Sequence, residues 1–182
     1  MTPGTPGNHG PGPGDSSTMT TVESPRARVL PWLSTLARLV LGGVWIAAGV
    51  AKITDLDASV RAVRAYALLP EAVVQIVGPG LPPAEILLGA LLVLGVGVRV
   101  GAVFSTVLMA AFVVGIASAW IRGLSIDCGC FGSGGALAPG AEPTYGRELA
   151  RDGGLLVLAL FLVRWPAGRW ALDAVLTRKD PT

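Results

Sequence analysis

Cys128 and Cys130 are the only two cysteines of this chain. One glycine separates them, in the run Asp127-Cys-Gly-Cys-Phe-Gly132. A glycine between them lets the backbone turn tightly enough for an i,i+2 disulfide to close. Such a ring is small and strained, and strained, exposed disulfides are the labile, more oxidising ones. The pair therefore suits reversible thiol–disulfide exchange, which needs an accessible thiolate. Arg122, Arg147 or Arg151 would lower a cysteine pKa by proximity, and Asp127 would raise it. Gly132, Gly134 and Gly135, with Pro139 and Pro143, make a loop that a partner protein can engage. Three other readings stay open. The pair is a passive disulfide, or two free thiols, or two ligands of a copper(I) site completed by another protein. A zinc site built from this chain alone is excluded, because two cysteines and the single His9 do not supply four ligands.

Two further groups of charges carry weight. Lys52 and Glu85 fall in apolar segments, each near the same predicted membrane face. Burying either alone is costly, so pairing is expected, with separate snorkelling as the alternative. Arg151-Asp152 opens a later apolar segment. It reads first as an ordinary interfacial ion pair, and otherwise as a support for the cysteine loop or for a quinone-like head group. Trp32, Trp45, Trp120, Trp165 and Trp170 fall mostly near segment ends. Interface anchoring accounts for all but Trp45.

These residues need a scaffold, and the composition says which kind. Of 182 residues, 52% are hydrophobic and 14% charged. Soluble domains carry about 25% charged residues, so too few are present to coat a water-facing surface. A net charge of +2 makes no electrostatic case for nucleic-acid binding. Four apolar segments follow one another. The first, about 33–54, is uncharged between Arg38 and Lys52, whose charges can snorkel to opposite interfaces. Gly43, Ala47 and Ala51 form its small-residue stripe, read as a packing face. The second, about 81–98, begins after a chain break at Gly78-Pro79-Gly80. The third, Val100–Ile121, is uncharged between Arg99 and Arg122; at 1.5 Å per residue it reaches about 33 Å, enough to span a bilayer. The fourth, about 148–165, reaches spanning length only by including Glu148, Arg151 and Asp152, and a re-entrant segment is its alternative. The expected fold is all-α: an integral membrane four-helix bundle over residues 29–168.

Residues 1–28, rich in Gly and Pro, read as a disordered tail, with Met19 as a second candidate start. Residues 169–182 read as a cytoplasmic tail. Between the first two segments, Val60, Val63, Ala67 and Leu68 against Arg61 and Arg64 predict a short amphipathic helix on the membrane surface. A tight turn at Gly95, Gly97 and Arg99 joins segments two and three. With both termini cytoplasmic, basic residues number seven inside against six outside, Arg38 being counted with neither. A redox pair is also more useful on the oxidising side. Both arguments put the Cys-Gly-Cys loop outside the cell membrane.

The pattern resembles the MauE family, named for methylamine utilisation and related to DoxX-like four-span membrane proteins. The matching residues are Arg38, Gly42 and Gly49-x-x-Lys52, then Leu81-Pro82, Glu85 and Gly89, then Cys128-Gly-Cys-Phe-Gly132, with Arg151-Asp152 opening the fourth span. The resemblance covers roughly residues 30–165, and its specific part is the Cys-Gly-Cys-Phe-Gly run. It implies a multipass membrane protein in thiol redox work with a thioredoxin-like extracytoplasmic partner, as in maturation of the disulfide-rich methylamine dehydrogenase subunit or of other exported proteins. Quinone-linked disulfide generators of the DsbB and vitamin K epoxide reductase types use two cysteine pairs; this chain has one, so a complete internal relay is impossible.

The resulting expectation is a membrane protein that performs or supports exchange through Cys128 and Cys130. Asp127, Arg151, Lys52 and Glu85 are its supporting residues. No covalently bound cofactor is expected, and a quinone is the candidate diffusible one. The alternatives are a non-catalytic subunit with a structural cysteine pair and a DoxX-like small-molecule carrier working through Lys52 and Glu85.

Overall fold

Long uncharged runs leave the backbone no partner in a bilayer except itself, so they fold as helices. The computed structural model describes residues 25–127, 129, 134–137 and 142–166. Five helices account for most of them: α1 (Pro25–Ile53), α2 (Leu56–Ala65), α3 (Glu71–Leu94), α4 (Val98–Ile121) and α5 (Tyr145–Arg164). A two-residue hairpin between α4 and α5 pairs β1 (Ile126–Asp127) with β2 (Gly135–Ala136), antiparallel, Ile126 opposite Ala136. Among the described residues, three helical stretches are long and apolar enough to cross a membrane: Val29–Ile53, Glu71–Leu94 and Val98–Ile121. Helix α5 is as long as a span but carries Arg147, Glu148, Arg151 and Asp152 in its first turns.

The long helices run antiparallel to their neighbours. α1 and α3 approach closely at glycines, where each backbone meets the other and the side chains of Ile46, Ile86 and Val93 pack alongside. A Cβ placed on Gly89 would lie 2.6 Å from the Gly42 carbonyl oxygen, and one on Gly49 would lie 2.7 Å from the Pro82 carbonyl oxygen. The packing stripe is therefore Gly42 and Gly49 against Gly89. The expected stripe of Gly43, Ala47 and Ala51 faces outward, with nothing within 4 Å of a Cβ at Gly43. Both sets have helical spacing, and the position of α3 chooses between them. Arg38 is buried in the protein, on the inward face it shares with Ser34, Leu41 and Trp45.

α3 also departs from expectation. It runs unbroken through Gly78-Pro79-Gly80, begins at Glu71 and ends at Leu94 instead of Val98. Gly78 lies against Val60 of α2, where a Cβ would meet the Val60 backbone at 2.7 Å. Neighbouring helices can hold a proline-bearing helix together where an isolated one would break. Its end is set by Gly95, a left-handed C-cap at φ 74°, and Gly97, left-handed at φ 57°, stands at the start of α4. Arg99 belongs to α4, not to the turn. α2 stops at Ala65, so Ala67 and Leu68 fall outside it; its buried face is Ala58, Ser59 and Ala62. α1 starts at Pro25, inside the stretch expected to be tail, with proline in the first turn where its missing N–H costs nothing. Residues 1–24 and 167–182 lie outside the described residues, as does Trp170.

The core has two parts. Leu41, Trp45, Leu92, Ala102, Met109, Ala159 and Leu162 fill the middle of the bundle. There the Trp45 indole N–H donates to Ser105 Oγ at 3.0 Å, which explains the one tryptophan that interface anchoring does not. Ile116, Ala119, Ile126 and Tyr145 form a smaller cluster under the hairpin. The Tyr145 hydroxyl donates to the Leu124 carbonyl and accepts from the Ile126 N–H at 3.1 Å, tying α5 to the hairpin. At the opposite end, Ser34 donates to the Trp165 carbonyl at 2.9 Å and Arg164 stacks over the Trp165 ring at 5.2 Å.

Candidate functional site

The antiparallel order gathers one end of every element around α2. The last turn of α1 brings Lys52, and the middle of α3 brings Glu85. Lys52 Nζ donates to both carboxylate oxygens of Glu85, at 2.7 and 2.9 Å. Glu85 is fully buried and Lys52 nearly so. The pairing expected from the cost of two isolated intramembrane charges is thus present. Phe112 of α4 flanks the ammonium, 6.0 Å from its ring centre.

α2 is placed over this pair by its own ends. Asp55 caps it, accepting the Ala58 N–H at 2.8 Å. At its C-terminal end Arg64 bonds Glu71 through Nε at 2.9 Å, and that hydrogen bond pushes the guanidinium above its ordinary pKa. Arg122 at the end of α4 donates to the Tyr66 and Ala67 carbonyls, where Ala67 sits at φ 50°. Arg122 is therefore engaged with the turn that follows α2.

Gly129 lies against α2 as well. It has φ of 69°, and a Cβ on it would meet Ala62 Cβ at 2.8 Å and Gly134 Cα at 3.1 Å. Only glycine meets both conditions. Asp127 Oδ1 accepts the Gly129 N–H at 3.1 Å. Asp127 thus shapes the turn locally. Cys128 and Cys130 flank Gly129 in sequence and lie outside the described residues. Arg151 and Asp152 bond each other at 2.7 Å, with Asp152 buried.

Between these parts lies a cavity of about 220 Å³, lined by Ala51, Lys52, Asp55, Ala58, Ser59, Ala62 and Gly129. Ser59 is 5% exposed, and its Oγ has no hydrogen-bond partner. Sequence reasoning passes over Ser59. Its signal is weak: one hydroxyl among alanines on the buried face of an amphipathic helix. No cluster of three or more metal-ligating side chains occurs among the described residues.

Long apolar helices closed around a buried ion pair define a membrane-embedded helical protein. The sequence pattern of the family described as methylamine utilisation protein MauE matches residues 30–164, and the chain belongs to that family. No curated protein and no solved structure matches it.

Proposed function

We propose that this membrane protein carries out thiol–disulfide exchange through Cys128 and Cys130, on the extracytoplasmic side, with a thioredoxin-like protein. In this reading α5 is a fourth span and both termini are cytoplasmic. The observation that carries the reading is the seat of Gly129. The residue between the cysteines is seated on α2 by a contact that admits no side chain, and the Asp127 carboxylate holds its N–H within the turn. Anchoring the midpoint of the pair fixes where a partner must dock, which is what positioned exchange requires.

The chemistry is ordinary exchange. A thiolate attacks one sulfur of a disulfide, and a mixed disulfide forms as the old S–S bond breaks. The second thiolate of the attacking pair then displaces the first and forms a new S–S bond. Two electrons and two protons pass between the pairs. Membership of the MauE family supports methylamine dehydrogenase, or another disulfide-bearing exported protein, as the final recipient.

The test is the redox state of the two cysteines in intact cells. Thiols are trapped with acid, and a parallel sample is treated with a membrane-impermeant maleimide and titrated with dithiothreitol and oxidant. The expected result is labelling from outside and a reversible, partly oxidised pair. A pair that stays locked, or stays reduced under oxidant, would leave a structural or copper(I) role instead.

A further inference from the structure

The cavity beside Gly129 does not end at Lys52. A narrow neck of about 30 Å³ shares Lys52, Ser59, Ala62 and Gly129 with it. The same neck shares Val63, Tyr66, Leu81 and Phe112 with a groove of about 300 Å³ between α2, α3 and α4. Nearly every side chain lining that groove is apolar. Around it Leu68, Ile76, Val107 and Val114 are exposed, in helices or connections that face lipid in the membrane reading. The three spaces thus adjoin in series, with Lys52 and Ser59 at one end, apolar side chains at the other, and Tyr66 and Phe112 on the walls between. Their combined size is that of a small-molecule site.

The polar end selects a head group. The ammonium of Lys52 has three N–H donors, of which Glu85 takes two. Ser59 Oγ is buried and unpartnered. Both can donate to a carbonyl oxygen. The Lys52–Glu85 pair is neutral as a unit, and the Glu85 carboxylate opposes a second anion, so an uncharged carbonyl is favoured over a fatty-acid carboxylate.

We propose that this space binds a lipid-soluble quinone, its ring at Lys52 and Ser59 and its tail in the groove, as the electron acceptor of the Cys128–Cys130 pair. The binding site stands on the cavities alone; the acceptor role rests on the exchange reading above. The two thiols form one S–S bond and release two electrons and two protons. The quinone takes up both, and its two carbonyl oxygens become hydroxyls. A single cysteine pair then suffices, because it exchanges in turn with the partner and with the quinone.

The experiment uses the full-length protein in lipid nanodiscs and a decyl-tailed azidobenzoquinone as a photo-crosslinking probe. Labelling is expected on α2 and α4 peptides, and it should be displaced by unlabelled decylbenzoquinone but not by decanoate. Ser59→Ala should weaken binding about fivefold, the scale of one hydrogen bond, with the thermal midpoint unchanged. Ala111→Phe, which fills the groove, should abolish labelling. The Cys128→Ser/Cys130→Ser variant should bind as the parent does, whereas the reduced parent alone should convert one quinone to quinol per chain. Absent labelling, or equal displacement by decanoate, overturns the quinone site and leaves exchange standing. Intact binding without quinol formation overturns the acceptor role, and with it the electron path through the cysteines.

Discussion

Ala62 occupies the space that a side chain on Gly129 would need. A Cβ there would fall 2.8 Å from the Ala62 methyl, while the backbone holds φ at 69°. Gly129→Ala is expected to lower stability by about 1–2 kcal/mol from the left-handed backbone alone, with the clash added. Ala62→Gly in the same chain should recover the Ala62 part of the clash, but neither the contact with Gly134 nor the backbone part. Thermal unfolding in detergent measures both. Full recovery by Ala62→Gly would mean that the backbone conformation carries no cost.

Lys52 and Glu85 should behave as one unit. Removing the ammonium by Lys52→Met leaves a buried carboxylate unpaired, which is expected to cost about 3–5 kcal/mol. The double change Lys52→Met/Glu85→Gln should be markedly more stable than Lys52→Met alone. The comparison is a double-mutant cycle on resistance to unfolding in mild detergent. Additive losses would show that the two charges do not support each other.

The contact between α1 and α3 discriminates among glycines. Gly89→Ala puts a methyl against the Gly42 carbonyl and should cost about 1–3 kcal/mol, the range for overpacking. Gly43→Ala, open to its surroundings, should be neutral or slightly stabilising through helix propensity. Protease resistance of the two variants in membranes ranks them. Equal effects would contradict the register in which α1 meets α3.

Trp45→Phe keeps most of the ring and strands a buried hydroxyl on Ser105. A loss of about 1–3 kcal/mol is expected. Adding Ser105→Ala should return part of it, since the stranded acceptor is then gone. Calorimetry of the two variants and their combination reads the coupling.

Three of the expected spans and the Lys52–Glu85 pair are legible in the sequence because hydrocarbon enforces them. An uncharged run must be helical there, and two opposite charges at one depth have few partners but each other. The finer choices are not local. Gly42 and Gly43 are adjacent in sequence and point about 100° apart around the helix, and only the approach of α3 distinguishes them. Gly78-Pro79-Gly80 reads as a break, and packing against Val60 keeps it inside a helix. Charge density leaves α5 outside the apolar criterion that its neighbours meet. Ser59 emerges only when α2 is laid over the ion pair, since nothing in a lone serine announces a cavity.

The contact between Gly42 and Gly89 also has a mechanical side. Where the two backbones approach, only the branched side chains of Ile46, Ile86 and Val93 pack alongside the glycines, so little can slide or re-rotate and α1 and α3 are coupled as a stiff pair. The Lys52–Glu85 pair fastens them a second time. Any breathing that admits a long, thin molecule between the helices must come from the other wall. The moving part is then expected to be α4, with the aromatic rings of Phe112 and Tyr66. A spin label on α4 should therefore report wider distance distributions to α3 than a label on α1 does.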